Sequence, residues 1–264
     1  MSRPLPASIP ALVTGASSGL GAEFARRLAA RGHDVTLVAR RVDRLEQLRA
    51  EITSKHDVAI QVLGADLETR KGRAAVNSAL RKRSPWILVN NAGYGTRGSL
   101  ANLDPAREIA EVQVNVVALH EFTTTVIPEL VKAGTGGIIN LASTSSFQPV
   151  PYMATYSASK AFVLHFTEAL AEEVRGSGVR VLALCPGPVR TEFDTIAGTQ
   201  DYMRVTRPMT MDAERCVAIA LRAFDRGAAV SIPGVLNFAL AQSPRLAPRA
   251  LTRRTIGTVF GQRR

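Results

Sequence analysis

The chain has 264 residues, enough for one α/β domain with a large core, and its 46 % hydrophobic and 21 % charged content is that of an ordinary globular protein. No apolar run reaches the roughly 18 residues that would span a bilayer, and two cysteines, Cys185 and Cys216, make neither a disulfide framework nor a metal site. The net charge of +11 is concentrated at the end: from Gln242 onward stand Arg245, Arg249, Arg253, Arg254, Arg263 and Arg264 and no acid, which leaves 27 basic against 22 acidic residues before them.

Taken in order, Met1 to Pro10 lacks the long apolar stretch of a secretion signal, so a reducing, cytoplasmic setting is the expectation. Ala11 to Val13 predicts a buried strand, and Leu20 to Ala30 a helix with Leu20, Phe24 and Leu28 on one face. Asp34 to Ala39 is the second strand and Asp43 to Thr53 the second helix. Val58 to Gly64, Gly72 to Lys82 and Trp86 to Val89 give strand, helix and strand again. Pro105 to Lys132 reads as one helix, bent at Pro128. Gly137 to Leu141, Thr155 to Arg175 and Val179 to Leu184 follow as strand, helix and strand. Met211 to Arg226 is helical and Ala229 to Ile232 a short last strand. Continuous apolar strands separated by helices predict a doubly wound parallel α/β sheet of about seven strands, Rossmann-like, in one domain spanning residues 1–264.

Two stretches carry chemistry in their own right. The first strand runs into Thr14-Gly-Ala-Ser-Ser-Gly-Leu-Gly21, which opens the first helix. Glycines in such a turn let the backbone approach a pyrophosphate, whose charge the helix N-terminus meets. The second strand ends in Ala39-Arg40-Arg41, where a cofactor without a 2′-phosphate would want an acid. A guanidinium pair there suits the 2′-phosphate of NADP(H) over NAD(H). Further on, Tyr156 and Lys160 lie four residues apart on one helix face. A fixed ammonium beside a phenol favours the phenolate and makes the Tyr a usable acid/base.

With these pieces in order, the sequence resembles the short-chain dehydrogenase/reductase family in its single-domain form, over about residues 9 to 190. Gly15, Ser17, Ser18, Gly19, Leu20 and Gly21 look like its cofactor turn, and Asp66 with Leu67 like its adenine-binding segment. Asn90-Asn91-Ala92-Gly93 looks like the structural motif beside the cofactor, and Pro186, Gly187, Val189 and Thr191 like the segment that reaches the nicotinamide. Ser143 stands 13 residues before Tyr156, the family's usual separation. Ala142 stands where a Ser is common, and the third helix is short; neither touches a catalytic role. The resemblance implies that Ser143 hydrogen-bonds the substrate oxygen, Tyr156 donates or removes its proton, and Lys160 binds the nicotinamide ribose. It also implies that Asn115 links Lys160 to water and that the helices of Asn115 and Tyr156 pair into a homodimer or homotetramer. The expected reaction is hydride transfer between NADP(H) and a small-molecule carbonyl/secondary-alcohol pair.

Beyond Glu192 the resemblance fades. Phe193, Ile196, Tyr202, Met203, Met209 and Met211 make the substrate-loop region, about residues 190–212, apolar for a loop. They suit either a lid over an apolar substrate or packing at the sheet edge. Tyr94 to Arg97 and Phe147 to Met153 are expected to supply the other walls. The basic tail, residues 242–264, is expected to rest on a partner subunit or an anionic membrane surface. Two rival readings are disfavoured. A cofactor-sensing protein without chemistry would lose the Tyr or Lys that this chain keeps. Nucleic-acid binding through the tail lacks aromatic interleaving or a reading motif. The four His show no metal-ligand spacing.

Overall fold

In the computed structural model, which describes residues 4–199 and 206–261, the buried strand Ala11–Thr14 (β1) sits mid-sheet. Its neighbours are β2 (Val35–Ala39) and β4 (Ile87–Asn90), with Val13 opposite Leu37 on one side and Val89 on the other. Beyond them lie β3 (Ile60–Gly64), β5 (Gly137–Leu141), β6 (Arg180–Leu184) and β7 (Val230–Ser231). The seven strands are all parallel, in the order β3-β2-β1-β4-β5-β6-β7. Parallel strands need crossover helices, which cover both faces and account for the uninterrupted apolar runs in sequence.

Side-chain alternation divides the core in two. Val13, Leu37 and Val89 face α1 (Gly19–Ala29), α2 (Val42–Thr53) and a later helix, Ala213–Asp225, through Phe24, Leu28, Leu45 and Phe224. Leu12, Val38 and Leu88 face the opposite layer. That layer contains α3 (Arg70–Arg81), α4 (Pro105–Val112), α5 (Leu119–Ala133) and α6 (Ala154–Glu173). The connection after β6 contains α7 (Phe193–Ala197), and Ala213–Asp225 is α8. Between β1 and β4 the chain turns from one face of the sheet to the other, and the crevice at the strands' carboxyl ends opens there.

Two elements differ from the sequence reading. The helix predicted over Pro105 to Lys132 is interrupted, but not at Pro128, which sits inside a continuous α5. The interruption is a π-helical turn, Gln113–Ala118, and it carries Asn115. Such turns widen the backbone ladder by one residue and re-aim the side chains they carry. Beyond β7 the sequence reading assigns no element. The chain there forms α9 (Val235–Gln242) and, within the basic tail, α10 (Arg249–Phe260), and Ile256 packs on the cluster of Val150, Met153, Tyr156 and Ala197. Gly257 of the same helix lies beside Pro151, where a Cβ would make an ordinary contact 3.4 Å from Pro151 Cγ. Among the described residues no helix is long and apolar enough to cross a membrane.

Candidate active site

The glycine-rich turn is held from two sides. Gly15 and Gly19 have φ of 66° and 56°, the left-handed region that a side chain disfavours. A Cβ on Gly21 would come within 2.3 Å of the Gly15 carbonyl oxygen, so α1 can start only from a bare backbone there. Asn91, just after β4, donates from Nδ2 to the carbonyls of Thr14 (2.9 Å) and Gly15 (3.2 Å). The Thr14 hydroxyl oxygen accepts from the backbone N–H of Asn91 and Ala92, both at 3.0 Å. The ends of β1 and β4 are thereby locked together, with the N-terminus of α1 facing the crevice.

Both predicted guanidiniums reach this crevice. Arg40 is 57 % exposed and pairs with Glu68 at 3.1 Å. Arg41 lies across the turn itself, donating to Ser17 Oγ at 3.0 Å and Ser18 Oγ at 3.1 Å. Its remaining nitrogen meets Glu192.

The acid/base group forms at the same end of the sheet. Asn90 Nδ2 donates to Thr123 Oγ1 at 3.1 Å and Asn140 Oδ1 at 2.9 Å, and Asn140 Nδ2 donates to Thr167 Oγ1 at 3.0 Å. These fully internal bonds tie β4 and β5 to α5 and α6, fixing the helix that carries Tyr156 and Lys160. Lys160 is 5 % exposed and donates from Nζ to the Leu141 carbonyl at 2.7 Å. That Nζ lies 5.8 Å from the Tyr156 ring centroid. Burial lowers the Lys160 pKa to about 8, against the opposing attraction of Glu111. Ser143 Oγ accepts from the Ser145 N–H at 3.1 Å, which leaves its own proton for another acceptor.

One cavity of about 510 Å³ gathers nearly all the residues singled out in the sequence. It is lined by Gly15, Ser17, Ser18, Gly19 and Leu20 of the turn, by Arg40, Arg41, Asp66 and Leu67, and by Asn91, Ala92 and Gly93. Ser143, Tyr156 and Lys160, with Pro186, Gly187, Val189 and Thr191, complete that side. Gly21 and Asn115 are not on the wall. Gly21 supports the turn from behind. Asn115 is 1 % exposed; its Nδ2 donates to the Tyr94 carbonyl (2.8 Å) and Ser159 Oγ (3.0 Å), and its Oδ1 accepts from the Tyr94 N–H (3.1 Å). It stands just behind Lys160: a Cβ on Gly93 would lie 2.9 Å from Asn115 Oδ1 and 3.2 Å from Lys160 Nζ.

The other half of the cavity is apolar. Phe193 tilts against the Tyr156 ring with centroids 5.3 Å apart, and Ile196, Met209, Val150 and Met153 line the wall. Met211 instead packs against the core beneath the sheet, and Tyr202 and Met203 lie outside the described residues. The expected walls at Tyr94 to Arg97 and Phe147 to Met153 contribute Tyr94, Gln148, Val150 and Met153. Sequence reading missed Asn237 and Leu240 of α9, which close the cavity from the tail side. A lone Asn more than forty residues past the last motif carries no spacing signal. It also missed Glu108 and Glu111, which α4 buries, Glu111 within reach of the Lys160 charge.

This cradle fits a dinucleotide. A side chain at Gly15 or Gly21 would break the turn, and a helix N-terminus and two guanidiniums supply the charge a phosphate-rich ligand requires. Comparison with known proteins agrees. The family model for short chain dehydrogenase matches residues 10–201. A very-long-chain 3-oxoacyl-CoA reductase of Bos taurus is 32 % identical over 191 residues, which are 70 % of this chain and 61 % of that protein. The match therefore spans about three fifths of that relative's length. A short-chain dehydrogenase from Sphingobium yanoikuyae, solved in complex with NADPH, is 36 % identical with a TM-score of 0.81, covering 97 % of each chain. The bulky-bulky ketone specific alcohol dehydrogenase from Comamonas testosteroni is 33 % identical with a TM-score of 0.77, covering 93 % of each chain. With its glycine-rich turn, its Ser143, Tyr156 and Lys160 and its seven-stranded parallel sheet, the chain belongs to the short-chain dehydrogenase family.

Proposed function

We propose that the protein is an NADP(H)-dependent oxidoreductase interconverting a ketone and a secondary alcohol on a bulky, largely apolar substrate. The observation that carries this reading is the single cavity in which Tyr156, Lys160 and Ser143 stand between the glycine-rich turn and the Phe193, Ile196 and Met209 wall. Gly15, Ser17, Ser18, Gly19, Asp66, Ala92 and Gly93 would hold the dinucleotide, with Arg40 and Arg41 at its 2′-phosphate. When bound, its nicotinamide supplies or accepts the hydride. Ser143 gives its hydroxyl proton to the substrate oxygen as a hydrogen bond, orienting the carbonyl. Tyr156 transfers its phenolic proton to that oxygen as charge develops on it, or takes one in the oxidative direction. Lys160, held by the Leu141 carbonyl, keeps further N–H directions for a ribose hydroxyl and supplies positive charge beside the Tyr156 ring.

The named relatives support the substrate class, since one acts on very-long-chain 3-oxoacyl-CoA and one on bulky-bulky ketones. The test is NADPH oxidation by the purified protein against ketones graded in size and polarity. Turnover should rise with apolar bulk on both sides of the carbonyl. Turnover of small polar ketones alone would overturn the substrate class, and no oxidation of any would overturn the activity.

Two surfaces bear on partners. Ile109 of α4, Val112 at its end, Val131 of α5 and Phe162 of α6 are exposed on the layer holding Asn115 and Tyr156, which supports pairing of these helices into a homo-oligomer. Ile109→Asp should reduce the molecular mass measured by light scattering. On α9, α10 and the turn between them, exposed Val235, Phe238, Leu246 and Leu251 lie near exposed Arg245, Arg249 and Arg253, suiting an anionic lipid surface or a partner subunit. Removing residues 245–264 should release the protein from anionic liposomes or change its mass; no change in either would discard both. The setting we assign is the cytoplasm, with Cys185 and Cys216 both buried as free thiols.

A further inference from the structure

Two buried carboxyls of α4, one of them (Glu111) near enough to Lys160 for their charges to attract, share one hydroxyl. Thr96 Oγ1 contacts Glu108 Oε1 and lies 2.9 Å from Glu111 Oε2, while the Thr155 hydroxyl donates to the other Glu108 oxygen. A threonine hydroxyl has one proton to give and otherwise accepts. Thr96 can therefore satisfy only one of its two carboxyl contacts as donor, and the other requires a proton on the carboxyl itself. Solvent access identifies which carboxyl carries it. Glu108 lines a second cavity, about 670 Å³, together with Leu103, Tyr152, Arg254 and Gly257, and so has a route to water. Glu111 is 0 % exposed, and its Oε1 has no hydrogen-bond partner among the described residues. An ionised carboxylate in that position would be desolvated and half-unpaired, which is costly.

We propose that Glu111, Thr96 and Glu108 form a proton-sharing unit, filled from the second cavity, that sets the charge near Lys160 and thereby tunes the Tyr156–Lys160 pair. In the resting arrangement Glu111 donates its proton to Thr96 Oγ1, and Thr96 donates its own to an ionised Glu108. Shifting both protons along breaks the Glu111 and Thr96 O–H bonds and forms new ones on Thr96 and Glu108. The negative charge moves from Glu108 to Glu111, and Glu108 can then exchange its proton with water in the second cavity. Glu111 is thus a positioning residue that acts through Lys160.

The titratable groups facing Glu111 are Glu108 on its own helix, Lys160 on α6 and Tyr94 in the loop after β4. Burial first, then the Glu108 charge, push the Glu111 carboxyl up to about 7, with Thr96 and Lys160 opposing. Tyr94, pushed up to about 12 chiefly by burial, stays neutral throughout this range.

The protonation stands without any catalytic reading; only its consequence for turnover rests on the oxidoreductase activity proposed above. The first measurement therefore uses no substrate. Glutamate carboxyl carbons are labelled with ¹³C, and the NMR titration of the full chain is compared with Glu111→Gln and Thr96→Val. One glutamate signal should stay in the protonated form to near neutrality, be missing from Glu111→Gln, and move its midpoint in Thr96→Val. Absence of such a signal, or its persistence in Glu111→Gln, would overturn the assignment. An unmoved midpoint in Thr96→Val would overturn the sharing. The second measurement is the pH profile of kcat/KM for ketone reduction. Glu111→Gln should lower the basic limb by roughly half to one pH unit, about 3- to 10-fold in rate at pH 8, with Glu111→Asp restoring part of it. A basic limb that does not move, in a variant whose carboxyl signal is gone, would overturn the coupling to Lys160. A parent without ketone reduction would defeat the proposed activity and leave the carboxyl titration to be judged by itself.

Discussion

Arg41 and Glu192 are joined at 2.8 Å across the cavity, one following β2 and the other following β6. Arg44 grips the same carboxylate, and these two guanidiniums, Arg44 foremost, hold it down at about 2. The Arg41 and Glu192 side chains are 39 % and 40 % exposed, so the pair contributes at most about 1 kcal/mol. Glu192 thus occupies guanidinium capacity that a 2′-phosphate could use. Glu192→Gln should tighten NADPH by about 2- to 5-fold and leave NADH unchanged. The gain should shrink as salt rises. Fluorescence titration of both cofactors checks this, and an unchanged NADPH dissociation constant would show that Arg41 is committed to the turn.

The two neighbouring arginines should separate in the same assay. Among the described residues Arg40 hydrogen-bonds Glu68 and not the turn, so Arg40→Ala should weaken NADPH by roughly one to two powers of ten and spare NADH, a charged hydrogen bond contributing about 1.5–3 kcal/mol. Arg41 also anchors Ser17 and Ser18, so Arg41→Ala should weaken both cofactors. Equal losses for both cofactors in Arg40→Ala would mean that it does not read the phosphate.

Tyr156→Phe retains the ring that packs on Phe193 and removes the proton donor. Turnover should fall by roughly 10² to 10⁴-fold with NADPH binding little altered. Full turnover in this variant, on a ketone the parent reduces, would refute the catalytic assignment.

Lys160 should leave a signature in stability against pH. Burial depresses its pKa from 10.5 to about 8, so between those values the unfolded chain binds the proton and the folded chain does not. Stability therefore rises as pH increases from about 8 to 10.5, and below that window the buried charge costs on the order of 3 kcal/mol relative to an unperturbed lysine. In Lys160→Met the rise should vanish from the melting temperature plotted against pH. The same slope in parent and variant would place the charge elsewhere.

Gly187 and Asn237 make a packing pair that can be tested without substrate. A Cβ on Gly187 would fall 2.3 Å from Asn237 Oδ1, and Asn237 is fixed by bonds to the Met209 (3.2 Å) and Pro233 (3.0 Å) carbonyls. Gly187→Ala should destabilise by about 1–3 kcal/mol. Combined with Asn237→Ala it should cost less than the sum of the two, because the obstructing side chain is gone. Strict additivity in denaturant unfolding would contradict the contact.

The sequence by itself determined the sheet, because parallel strands buried on both faces must be written as unbroken apolar runs such as Trp86 to Val89 and Val181 to Leu184. It also determined the glycine-rich turn and the Tyr156–Lys160 pair, since a backbone that must touch a phosphate admits only certain residues and a helix turn fixes a four-residue spacing. Tertiary structure alone decided the rest. The π-helical turn at Gln113–Ala118 leaves no periodicity in so short a segment, yet it sets Asn115 behind Lys160. The helices after β7 left no signal in the sequence because their contacts, Ile256 against the Tyr156 cluster and Asn237 against Gly187, are made with residues far away in the chain. Glu108 and Glu111 look in sequence like two acids on a solvated helix. Only packing α4 against the Thr96 loop and α6 buries them, and burial is what turns an ordinary carboxylate into a group that holds its proton near neutrality.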